Sequence, residues 1–163
     1  MAVGSQIGVV APPPIYSVTT DKSTGRAHID WVRWFNSLVQ AFTVTPAKVG
    51  AVTASAQSAA IGTTAINTPS LSTGLYRLSV YARVTVAATT SSSLSVTIHW
   101  TDGGVACSAT LGPVTGNLTT TVLQGQVIVN IDNATAISYS TSYASVGATA
   151  MQYKLVLSAE DLP

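Results

Sequence analysis

The side chains able to do acid–base, nucleophilic or metal chemistry are few and scattered. The acids are Asp21, Asp30, Asp102, Asp132, Glu160 and Asp161. Asp102 and Asp132 sit in turn-like sequence, and no spacing marks a working carboxylate couple. His28 and His99 lie far apart and form no HExxH pattern. Cys107 stands alone, which excludes an internal disulfide and a cysteine-based zinc site. It reads as a small buried hydrophobe. No GxSxG elbow occurs, so a Ser–His–Asp set has no supporting motif. "GPVTGN" and "DGG" read as turns rather than phosphate loops. These residues predict a non-enzymatic chain without metal or cofactor. One group has binding chemistry: Tyr81, Arg83 and His99, outward-facing on what read as neighbouring strands, with Trp100 close by in sequence. Such a group suits stacking on a sugar ring or, the preferred reading, a subunit interface rich in Tyr and Arg.

Three regions must position these side chains. Residues 1–27 read as an extended docking arm. Pro12, Pro13 and Pro14 favour polyproline geometry, and Ile15 and Tyr16 follow as apolar side chains suited to another protein's groove. "DKSTG" at 21–25 reads as a turn. Residues 28–45 hold one helix, predicted over 28–42. Val32, Phe35, Val39 and Phe42 step by three, four and three, as do Trp31, Trp34, Leu38 and Ala41. These are two adjacent apolar seams, wider than the single stripe that packing on one sheet requires. Arg33, Asn36, Ser37 and Gln40 are left for water. A helix of about four turns is marginal alone. It must pack on something: sister helices, a receptor surface or the protein's own body.

Residues 46–163 change to a period of two. In "LYRLSVYARVTV", Tyr76, Leu78, Val80, Ala82, Val84 and Val86 share one face. Leu94, Val96, Ile98 and Trp100 do the same in "SLSVTIHW", and Val127, Val129 and Ile131 in "QGQVIVNID". Ile137, Tyr139, Thr141 and Tyr143 alternate with small residues, as do Met151, Tyr153, Leu155 and Leu157 with polar ones. Such alternation marks antiparallel strands with one face on a core. Turns are expected at 89–93, 102–104, 112–117, 131–135 and 145–149. About eight strands predict a mainly β, jelly-roll-like antiparallel sandwich, preceded by the Pro-rich arm and the short amphipathic helix.

Composition narrows the partners. Only 8% of residues are charged, against about 25% in ordinary globular chains. A surface so poor in charge suits burial against copies of itself or other proteins. The net charge is +1 with no clustered Lys and Arg, which argues against nucleic acid. No apolar stretch reaches the length of a membrane span, and "MAVGSQIGVVAPPP" lacks the charged start of a signal peptide.

The segment "APPPIYSVTTDKSTGRAHIDWVRWFNSLVQAF", with its Trp31, Trp34, Phe35 and Leu38, resembles the N-terminal part of small tailed-bacteriophage virion proteins. "GLYRLSVYARVT" and "TIHWTDGG" are similar to the Ser/Thr/Ala-rich heads of trimeric phage fibres and decoration proteins. The resemblance implies a virion structural protein made in the host cytoplasm. It implies docking through Pro12, Pro13, Pro14, Ile15, Tyr16, Trp31 and Trp34 on tail, connector or capsid proteins. Val32, Phe35, Leu38, Val39, Phe42, Tyr81 and Arg83 are then the expected contacts between copies of a homotrimer. A short tail fibre is the preferred position, with a capsid decoration protein or head fibre as the alternative. Host surface glycans are a possible target of the head, and a free carbohydrate-binding jelly roll is the reading from another class.

Overall fold

The computed structural model describes residues 20, 24–26, 28–42, 46–66, 71–132 and 135–162. A boundary between residues 45 and 46 divides the chain into two compact units. In the first unit lies α1 (Ile29–Phe42). The second holds β1 (Lys48–Gln57), β2 (Thr64–Ala65), β3 (Gly74–Val86), β4 (Ser91–Asp102), β5 (Val105–Val114), β6 (Val122–Ile131), β7 (Ser138–Val146) and β8 (Gln152–Leu162).

Helix α1 starts where His28 leaves its carbonyl to the amides of Trp31 and Val32, at 3.0 and 3.1 Å. The His28 ring accepts the Asp30 amide at 3.3 Å, standing in for the usual Ser or Asp cap. Asp30 places a carboxylate in the first turn, where the helix dipole favours it.

The strands form two four-stranded antiparallel sheets, in the orders β1-β8-β3-β6 and β2-β7-β4-β5. This is the jelly-roll arrangement of two antiparallel layers. Among the described strands, only the β4–β5 connection stays within one sheet, and every other link between consecutive strands crosses the sandwich. The reason is local. Gly103 and Gly104 both have positive φ, 58° and 76°, which a two-residue hairpin turn demands. Asp102 therefore pairs directly with Val105, as the "TDGG" sequence predicts.

The inner faces meet in one core. Tyr76, Leu78, Val80, Ala82 and Val84 enter from β3, and Tyr153, Leu155, Leu157 and Ala159 from β8. Leu94, Val96 and Ile98 face them from β4, and Tyr139 from β7. Burying each large apolar side chain contributes about 1.5–3 kcal/mol. Trp100 and Tyr143 are only partly buried against this core. Where the edge strands β5 and β6 meet across the sandwich, Gly125 leaves room for Leu111. A Cβ at that position would lie 3.0 Å from a Leu111 methyl.

A polar network ties the stretch after β1 to the core. The Tyr153 hydroxyl donates to the Ala59 carbonyl and shares a hydrogen bond with the Thr141 hydroxyl, both at 2.9 Å. Thr141 Oγ1 in turn accepts the Ile61 amide at 2.7 Å. Burial pushes the Tyr153 phenol above its ordinary range, opposed by the Thr141 bond; burial raises Tyr139 as well.

The expected turn at 89–93 is cut short, because β4 begins at Ser91. "GPVTGN" is not wholly a turn, because β5 continues through Gly112 and Pro113 to Val114. As an edge strand, β5 loses no ladder bond to a proline, and a register shift opposite Leu94 and Val96 absorbs the irregularity. Cys107 is half-buried rather than buried, since it lies on that same edge.

Candidate functional site

Strands β8 and β3 lie inside the first sheet, so their outward residues occupy the middle of its outer face. From β3 these are Arg77, Ser79, Tyr81 and Arg83, and from β8 Lys154, Val156, Ser158 and Glu160. Register sets the neighbours. Arg77 lies opposite Glu160, Tyr81 opposite Val156, and Arg83 opposite Lys154. On the other flank Tyr81 faces Gln124 and Arg83 faces Val122 on β6. Arg77 and Glu160 form an ion pair, with Arg77 Nε donating to the carboxylate at 3.1 Å. Tyr81 is 40% exposed, and Arg83, Gln124 and Gln126 are also exposed.

The outer face of the second sheet is built of shorter side chains. His99 stands between Ser108 of β5 and Ser138 of β7. Its Nε2 shares a 2.9 Å hydrogen bond with the Ser140 hydroxyl. Thr97 and Thr110 share another across β4 and β5, also 2.9 Å. A serine–histidine contact thus exists, but the residues paired with its two members, Ser108, Ser138 and Thr97, supply no carboxylate to orient the imidazole.

The grouping of Tyr81 and Arg83 with His99 fails. Strands β3 and β4 are consecutive in sequence but belong to different sheets. Outward residues on the two strands therefore point to opposite sides of the sandwich. Trp100 faces inward with the core of the second sheet and joins neither group.

At the β4–β5 turn, the fold brings together acids that are distant in sequence. Asp102 accepts a 2.9 Å bond from the Asn130 amide group, and Asp132 accepts the Gly103 amide at 2.7 Å. Among the described residues no group of three or more His, Cys, Asp or Glu side chains could hold a metal ion. No helix among them is long and apolar enough to cross a membrane.

On α1 the rings of Trp31, Trp34 and Phe35 cluster. Centroids lie 5.7 Å apart for Trp31–Trp34 and 4.9 Å for Trp34–Phe35, both edge-on. Trp31, Trp34 and Leu38 are half-buried. Ile29, Val32 and Phe35 are 55%, 38% and 52% exposed. Val39 and Phe42 lie in the helical span, but their side chains fall outside the described residues, as do Pro12, Pro13, Pro14, Ile15 and Tyr16.

Sequence reasoning missed Lys154 as the neighbour of Arg83. Alternation had already placed both outward, but their pairing depends on which strands become neighbours.

No family model and no curated protein matches the chain. Among solved structures, a "Family 16 Carbohydrate Binding Module-2" is similar at 11% identity, covering 75% of this chain and 86% of that chain with a TM-score of 0.28. The jelly-roll fold rests on the strand orders β1-β8-β3-β6 and β2-β7-β4-β5.

Proposed function

We propose that this chain is a non-enzymatic structural protein of a bacteriophage particle: a short homotrimeric fibre mounted through residues 1–45, with the jelly roll as its displayed head. A decoration protein or head fibre is the same device at another position on the particle. The observation that supports this reading most is the exposed apolar stripe of α1. Ile29, Val32 and Phe35 present large side chains to solvent beside the Trp31–Trp34–Phe35 ring cluster. An apolar stripe of that kind on a short helix favours association. The sandwich, by contrast, encloses its own core.

Light scattering of the full chain at micromolar concentration tests the association. A trimer has three times the 16.7 kDa chain mass, and a stable 16.7 kDa monomer overturns the reading. Phe35→Ala and Trp34→Ala then separate assembly from head stability. Both should reduce trimer formation and incorporation into particles while the main melting transition of the head stays in place.

A further inference from the structure

The outer face of the first sheet carries an unusual charge pairing. Arg83 and Lys154 are directly opposite each other on adjacent central strands. Both alternate with buried neighbours, Ala82 and Val84 for Arg83 and Tyr153 and Leu155 for Lys154, so both point outward. Facing side chains in an antiparallel pair lie about 4.5–5.5 Å apart at Cβ, and like charges so placed repel. Arg83 and Lys154 take part in no ion pair among the described residues. The acid of this face, Glu160, is six residues further along β8, about 20 Å away at strand rise. It is already engaged by Arg77. The chain has seven Lys and Arg in all, and these two stand side by side without an anionic partner among the described residues.

Their neighbours narrow the chemistry of what would neutralise them. Tyr81 is one pleat from Arg83 on the same strand and face, and it is the exposed aromatic side chain of the sandwich among the described residues. Gln124 lies opposite Tyr81 and is exposed, with donors and an acceptor on its amide. Ser79 and Gln126 extend the polar strip as the next facing pair. A flat ring, amides and hydroxyls on one side, and two cations next to the ring fit a saccharide bearing a carboxylate. The ring accepts the sugar's C–H face, the amides take hydroxyls, and the cations take the acid group. An oligoglutamate would use the cations but offers no ring face to Tyr81.

We propose that this face binds acidic saccharides, with Tyr81 as the stacking platform, Arg83 and Lys154 as carboxylate partners and Gln124 as a hydroxyl partner. The site names a ligand class for the displayed head but stands on the sandwich surface alone, so it survives if the fibre reading fails.

Calorimetric titration of the full chain at low salt tests it with four probes: a short oligogalacturonate, its fully methyl-esterified form, an oligoglutamate peptide and inorganic phosphate. The oligogalacturonate should bind, and the neutral ester should bind at least about tenfold more weakly, the equivalent of one lost charge-assisted hydrogen bond. Arg83→Gln and Lys154→Gln should each weaken binding several-fold. Tyr81→Ala should abolish it, and Tyr81→Phe should retain it, since stacking needs the ring and not the hydroxyl. His99→Ala, on the opposite face, should change nothing. Melting curves of each variant report folding independently. The proposal is overturned if the charged oligomer does not bind, if the ester binds equally, or if Arg83→Gln and Lys154→Gln bind normally. It is also overturned if oligoglutamate or phosphate binds more tightly than the saccharide. Loss of the trimer with saccharide binding intact would refute the mounting reading and leave this one standing.

Discussion

The two outer faces of the jelly roll follow the same alternation yet present different chemistry. On the second sheet, β4 and β7 turn out Ser, Thr and Ala around one histidine, and several of these hydroxyls are spent on one another. Thr97 bonds Thr110, and Ser140 bonds His99. A face of short side chains permits close approach by another flat surface but has little reach of its own. On the first sheet, β3 and β8 turn out Arg77, Tyr81, Arg83, Lys154 and Glu160. Arg77 and Glu160 neutralise each other, whereas Arg83 and Lys154 do not. Binary patterning sets only inward or outward. Length and charge on the outward positions set what a face can do.

The two outer faces belong to one cooperative body only if both sheets share one core. Leu155 on β8 and Ile98 on β4 are both fully buried, on the inner faces of opposite sheets. Leu155→Ala and Ile98→Ala should each cost about 2–5 kcal/mol and shift a single cooperative melt of the sandwich. Two separate transitions, one for each variant, would show that the sheets are independent layers.

A smaller effect is expected at Tyr153. Removing its hydroxyl strips the Ala59 carbonyl of its donor and Thr141 of a partner. Tyr153→Phe should therefore destabilise the sandwich by about 1–3 kcal/mol in chemical denaturation. The same group sets an alkaline limit. Burial raises the folded-state pKa of Tyr153 and Tyr139 above the ordinary value of 10.0. The neutral phenol is thus favoured in the folded protein. Stability holds below pH about 10 and falls as pH rises from there through the raised values. Denaturation midpoints measured from pH 8 upward should show this fall, and it should be shallower in Tyr153→Phe. Stability that is flat to well above pH 10 in the parent chain would contradict it.

The smallest effects separate the outer faces directly. Lys154→Gln should stabilise the sandwich by about 0.2–1 kcal/mol at low salt, because it relieves the repulsion with Arg83. Salt should erase the gain. His99→Ala should change stability by no more than about 0.5 kcal/mol. A salt-sensitive loss in Lys154→Gln would mean that the lysine has an anionic partner on the protein, and the contrast between the faces would disappear.

Much of the sandwich was legible in the chain. Met151, Tyr153, Leu155 and Leu157 alternate with polar residues, and all four are fully buried. The "TDGG" hairpin was legible because its turn needs two consecutive residues of positive φ. The continuation of β5 through Pro113 was not, since proline reads as a break until the strand is known to lie at an edge. The candidate group of outward side chains was half legible. Outward placement of Tyr81, Arg83 and His99 follows from period two, but their supposed proximity assumed that consecutive strands share a sheet.

Local rules therefore determined the helix, the strands, the inward faces and the one tight hairpin, because each depends on a few adjacent residues and their backbone preferences. The tertiary structure alone decided that β3 lies between β8 and β6 while β4 lies between β7 and β5. Strand order comes from burying both inner faces at once, a condition on the whole chain. That order separates His99 from Tyr81 and sets Lys154 beside Arg83, residues that no local pattern connects.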